Sequence, residues 1–130
     1  MGFTKTTDNA ILDTTTGLMW ELKGSPEMLT WSKAQDYAAS LTLDGFVDWR
    51  LPTVYELFAL LNFEKVPADG DAAFAASVSA LFETTGDGYW SGTEYARNLS
   101  SAWYVDFGDG YVGAFEKHNI FHVRAVRTNT

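Results

Sequence analysis

The stretch Trp49-Arg50-Leu51-Pro52-Thr53, completed by Val54-Tyr55-Glu56, places a large indole, a fixed cation and a rigid turn directly ahead of a helix start. Thr53 and Glu56 stand three apart, the spacing of a capping box. The Thr53 hydroxyl can accept from the Glu56 amide while the Glu56 carboxylate accepts from the Thr53 amide, so two otherwise orphan donors are satisfied. This predicts a short apolar helix through Glu56-Leu57-Phe58-Ala59-Leu60-Leu61, with Pro52 just outside it and Leu51 held extended. Arg50 lies between two apolar residues, so its guanidinium must reach water or a carboxylate, and Asp48 and Glu56 are the nearby acids. The segment reads as a hub where a core is fastened, with Trp49, Arg50, Pro52, Thr53 and Glu56 in structural roles. Trp90, beside another turn signal, is expected to close one edge of the same core.

Working outward from the hub, Thr30 is expected to cap a helix over Trp31 to Leu41, where Trp31, Ala34, Ala38 and Leu41 recur on one face. That helix should leave through Asp44-Gly45. Before it, Ala10-Ile11-Leu12-Asp13 and Leu18-Met19-Trp20-Glu21 flank a polar turn ending in Gly17, the pattern of a hairpin. The stretch Phe63 to Phe82 mixes Pro67, Gly70 and acids with alanine-rich runs, and reads as a loop with short helical turns. After Gly86-Asp87-Gly88 the period changes. Tyr89-Trp90-Ser91, Ala102 to Phe107, Tyr111 to Phe115 and Ile120 to Val126 are β-prone, with Gly108-Asp109-Gly110 as a tight turn and Glu116 to Asn119 as a polar one. The sum is a single α+β domain over residues 1–130: an antiparallel meander paired with the N-terminal hairpin region, with two short helices on one side.

Composition limits what such a domain can do. At 130 residues and 14.4 kDa, surface scaling has roughly two-thirds of the extended chain's surface leaving water on folding, enough for a core without metal or disulfide staples. Five Trp, six Tyr and nine Phe supply its bulk. With no cysteine, thiol nucleophiles, thiolate metal sites and disulfides are excluded. The formal charge of −8 and scattered cations argue against nucleic acid as a partner. Apolar runs are short and interrupted, so no membrane insertion is expected. The first residues lack the layout of a signal peptide.

Catalytic constellations are sparse. His118 and His122 have the four-residue spacing of a helical chelate, yet they lie in a β-prone region where four residues span about 13 Å, too far for one ion. Asp87, Asp106 and Asp109 could converge near strand ends as oxygen ligands, but no EF-hand spacing accompanies them. No Gly-x-Ser-x-Gly elbow and no Walker-type loop is present. Neither a metal nor another cofactor is expected, and the chain reads as a non-enzyme.

Six motifs in order carry a family resemblance: Asp13-x-x-x-Gly17-Leu18-Met19-Trp20; Thr30-Trp31 with Ala34; Gly45-x-x-Asp48-Trp49-Arg50-Leu51-Pro52-Thr53-x-x-Glu56-Leu57; Tyr89-Trp90-Ser91-Gly92-Thr93; Ala102-Trp103-x-Val105-x-Phe107-x-x-Gly110; and Val123-Arg124-Ala125-Val126-Arg127. Together, from about residue 8 to residue 127, the chain resembles the bacterial DUF1566 domain, also called the C-terminal domain of Legionella collagen-like protein. The resemblance implies a C-type lectin-like fold on secreted or surface-exposed proteins, hence an extracellular or cell-surface location. The collagen-like member is an adhesin whose trimeric domain recognises sulfated glycosaminoglycans; a charge of −8 opposes carrying that ligand over. Formylglycine-generating enzymes share a related fold but depend on cysteines this chain lacks.

In lectin-like folds recognition lies in loops between late strands. By position this points to the irregular span Ser91 to Ser101, with Glu94, Tyr95, Arg97 and Asn98 facing a ligand, and to Tyr104, Asp106 and Tyr111 on the sheet face. The leading reading is a non-catalytic module that binds protein or neutral carbohydrate and is compatible with a homo-oligomer. The alternatives are a small carboxylate-dependent hydrolase acting on glycans, which needs two convergent acids, and a purely structural oligomerisation domain.

Overall fold

Asp13 begins the local order of the N-terminal third. Its side chain accepts from the Thr15 amide and the Thr16 hydroxyl, both at 2.9 Å, and its carbonyl accepts from the Gly17 amide at 2.8 Å. Gly17 takes φ +76°, a conformation that favours glycine, and reverses the chain. The computed structural model describes residues 3–60, 88–107 and 111–128. In it the reversal joins β2 (Ala10–Asp13) to β3 (Leu18–Glu21), with Ile11 opposite Trp20 and Leu12 opposite Met19. The hairpin therefore forms where the turn chemistry puts it. A further strand, β1 (Phe3–Lys5), pairs with β2; it has no apolar alternation by which the sequence would announce it.

Helix α1 (Trp31–Ala39) buries Ala34 and Ala38, as its periodicity requires. Thr30 sits at the N-cap in extended conformation, but its side chain makes no capping bond; the start is secured by the Ala34 amide donating to the Thr30 carbonyl at 2.8 Å. The chain then leaves through a 3-10 turn, Leu43–Gly45, in which Asp44 and Gly45 have φ of +58° and +81°. The second helix, α2 (Val54–Phe58), starts directly after its Thr53 cap, as expected, and carries both halves of the capping box.

The late strands divide between two sheets. β4 (Gly88–Glu94), β5 (Ser101–Asp106) and β6 (Val112–Glu116) form one antiparallel sheet in that order, and β7 (Val126–Thr128) joins β3 in the other, whose order is β1-β2-β3-β7. The expected pairing of the tail with the N-terminal hairpin is made by β7 alone, so the late strands form two sheets and not one continuous meander. Most of Ile120 to Val126 is not regular strand: it crosses between the sheets, bridging Leu29 through Phe121 and Tyr89 through His122, and bonding Ser25 through Val123 and Glu21 through Ala125.

Placement of the helices also differs from expectation. Successive strand residues point to opposite faces. Tyr89 packs with Val105 and α2 residues Val54 and Leu57, whereas its neighbour Trp90 packs with Ala102, Tyr104 and α1 residues Ala34 and Ala38. The two helices therefore cover opposite faces of the β4–β6 sheet. The readings for residues 63–82 and for the turn at 108–110 fall outside the described residues.

Candidate interaction surface

The hub fixes the position of β4. Arg50 donates to both carboxylate oxygens of Glu56, at 2.8 and 3.0 Å, and to the Leu51 carbonyl at 3.3 Å. The same Glu56 accepts from the Thr53 amide at 2.8 Å, and the Thr53 hydroxyl accepts from the Glu56 amide at 3.1 Å. Of the two candidate partners of Arg50, Glu56 is the one used; Asp48 is taken by Arg127 at 2.6 and 3.2 Å. Burial opposes ionisation of Glu56, but the Arg50 bonds and the Thr53 amide outweigh it and hold the carboxyl below its ordinary value. The Gly92 amide donates to the Pro52 carbonyl at 2.7 Å and the Val54 amide to the Thr93 hydroxyl at 3.0 Å, so the turn before α2 is stitched to the middle of β4. A Cβ on Gly92 would lie 3.3 Å from the Leu51 Cβ, which is why the chains can approach so closely there. Trp49 is buried with its indole N–H donating to Leu43, and Trp90 is fully buried with its indole donating to the Leu29 carbonyl at 2.8 Å.

From this anchored strand the chain enters the β4–β5 connection. The expected irregular span shortens at both ends: Ser91 to Glu94 belong to β4, Ser91 is buried, and Ser101 begins β5. What remains, residues 95–100, is a closed hairpin. The Tyr95 amide donates to the Ser101 carbonyl, the Asn98 amide to Tyr95, and the Ser101 amide to Asn98, all at 2.9 to 3.0 Å. The Asn98 side-chain oxygen accepts from both the amide and the hydroxyl of Ser100, so Asn98 holds the turn together. Tyr95 is half-buried, edge-on to Trp103 at 5.4 Å between centroids. Arg97 is exposed, and Leu99 beside it is 64% exposed. Glu94 accepts from Lys117 at 2.6 Å, and that ammonium sits 4.2 Å from the centre of the Trp31 ring.

The other three expected ligand residues lie elsewhere. Ser101 to Asp106 spans five residue steps, about 17 Å of strand, so Asp106 and Tyr111 stand at the far end of the sheet from the hairpin, linked by the Asp106 amide donating to the Tyr111 carbonyl. Tyr104 is 7% exposed and packed among Phe121, Phe115 and Tyr111, which makes it a core ring rather than part of an open face. Tyr111 is 52% exposed and lies over Gly113, where a Cβ would come within 2.6 Å of its ring. Sequence reasoning singled out neither Lys117 nor Leu99, and did not foresee the contacts of the half-buried Trp31 and Trp103 with Lys117 and Tyr95. Lys117 stood in a polar turn, Trp31 on the apolar face of a helix and Trp103 in a β-prone run, so only the fold brings out these contacts.

An apolar groove of about 340 Å³ opens between α2 and this sheet, lined by Val54, Tyr55, Phe58, Thr93, Trp103 and Val112, with Tyr55 80% exposed at its edge. A buried polar cluster lies deeper. Glu21 accepts from the Ala125 amide at 3.0 Å and from the Tyr37 hydroxyl, while Arg124 donates to the carbonyls of Glu21, Leu22 and Lys23. Burial pushes the Glu21 carboxyl up, against the bonds from Ala125 and Tyr37 and the charge of Arg124. Burial, and then Glu21, push the Tyr37 phenol up, and burial lowers the Arg124 guanidinium. With both Glu21 oxygens engaged by structural donors, this raised carboxyl is built as part of the core and lacks the open geometry of a hydrolytic acid. His118 is exposed while the His122 Nδ1 lies 3.2 Å from the Ser25 carbonyl, so the two rings do not face a common point. Asp87 and Asp109 lie outside the described residues, and among those described no group of three or more His, Asp or Glu side chains is arranged to hold a metal. Nor is any helix among the described residues long and apolar enough to cross a membrane.

Compared with known proteins, residues 9–127 match the family described as the Lcl C-terminal domain. None of the curated proteins matches the chain.

Proposed function

The chain belongs to the Lcl C-terminal domain family, and from that premise we propose that it is a non-catalytic interaction module of a bacterial or phage surface or secreted protein, with a C-type lectin-like fold. It recognises protein or neutral carbohydrate through the β4–β5 hairpin and its surroundings: Glu94, Tyr95, Arg97 and Asn98, joined by Leu99 and Lys117. The observation that carries this reading is the hairpin itself. Three backbone bonds, Tyr95 to Ser101, Asn98 to Tyr95 and Ser101 to Asn98, close its turn, and the Asn98 side chain braces Ser100, which leaves a preformed tip presenting Arg97 and Leu99 to solvent. Preformed contacts lose less entropy on binding than a loop that must be ordered. A net charge of −8 favours neutral or cationic partners over sulfated chains. Assembly as a homo-oligomer would multiply weak contacts of this kind by avidity. Asp106 and Tyr111 form a separate end of the sheet and would serve a different contact.

The test is binding of the whole chain to glycan and protein arrays, with Arg97→Ala and Tyr95→Ala compared against Tyr111→Ala, each checked for an unchanged circular dichroism spectrum. Loss of about tenfold or more in affinity is expected for Arg97→Ala, as for a truncated interface anchor, with Tyr111→Ala close to the parent. Full binding by both hairpin variants alongside loss in Tyr111→Ala would move recognition to the opposite end.

A further inference from the structure

We draw no further inference here: the strongest candidate, the apolar groove between α2 and the β4–β6 sheet lined by Val54, Tyr55, Phe58, Thr93, Trp103 and Val112, is an unpartnered face, and nothing in the structure shows what covers it.

Discussion

Glu56 does two jobs with one carboxylate, capping α2 and clasping Arg50. Replacing it with Gln removes the charge from both. Glu56→Gln keeps an oxygen for the Thr53 amide but loses the partly exposed ion pair, and is expected to cost about 1 kcal/mol, read as a lower urea midpoint with an unchanged m-value. The folded-state pKa of Glu56 is depressed. Its contribution is therefore present above the unfolded value and lost as pH falls through the folded one, so the gap between parent and variant should shrink in acid. Glu21 has the opposite sign. Its folded-state pKa is raised by burial, so the native state holds that proton more tightly, and Glu21 favours folding less as pH climbs from the ordinary carboxyl value through the raised one. Glu21→Gln should accordingly remove a downward slope in stability across that window. Parallel pH profiles of parent and variant would contradict the burial of a charged carboxylate there.

At the scale of elements, Gly113 sets how the β5–β6 ladder closes. It pairs with Tyr104 in β5, and the Tyr111 ring lies where its Cβ would be. Because that ring is the end of a flexible, half-exposed side chain, it can swing away. Gly113→Ala should therefore cost only about 1 kcal/mol, the scale of a local repacking in a strand. The cost should largely vanish in a Tyr111→Ala background, and the thermal midpoints of the four proteins of a double-mutant cycle would measure that coupling. An equal cost in both backgrounds would mean the backbone, and not the tyrosine, resists the methyl group. The same elements show where sequence reading reaches its limit. The capping box and the Asp13 turn were legible because every participant lies within four residues. That β7 alone makes the pairing with the hairpin, apart from the β4–β6 sheet, was not, since its partners lie about a hundred residues away.

Across the whole molecule, the segment 121–127 is the tie between the two sheets, and Arg124 is its pin. At 2% exposure its guanidinium is surrounded by the carbonyls of residues 21–23, with the Tyr89 ring centre 5.5 Å away. Arg124→Ala would remove a donor from the buried carbonyls of Glu21 and Leu22 and the part-buried one of Lys23, together with the charge that faces Glu21. The expected loss is about 3 to 5 kcal/mol, enough to take most of the stability of a domain this size. Equilibrium unfolding should show it as a large fall in midpoint, whereas a fall under about 1 kcal/mol would mean that water reaches those carbonyls. Arg127, clasping Asp48 and lying 3.7 Å from the centre of the Phe46 ring, secures the other end of the segment.

The N-terminal hairpin, both helices, the Thr53–Glu56 cap, the strand character of β4, β5 and β6 and the family were all legible in the chain's order of residues. All of these rest on short-range spacing or on motif order, which one dimension records. Only the tertiary structure decided that Glu56 rather than Asp48 holds Arg50, that the helices take opposite faces of one sheet, and that Tyr104 is core while Lys117 lies over Trp31. Each of those choices is a competition between chemically equivalent groups. Distance in space settles it, and distance along the chain does not.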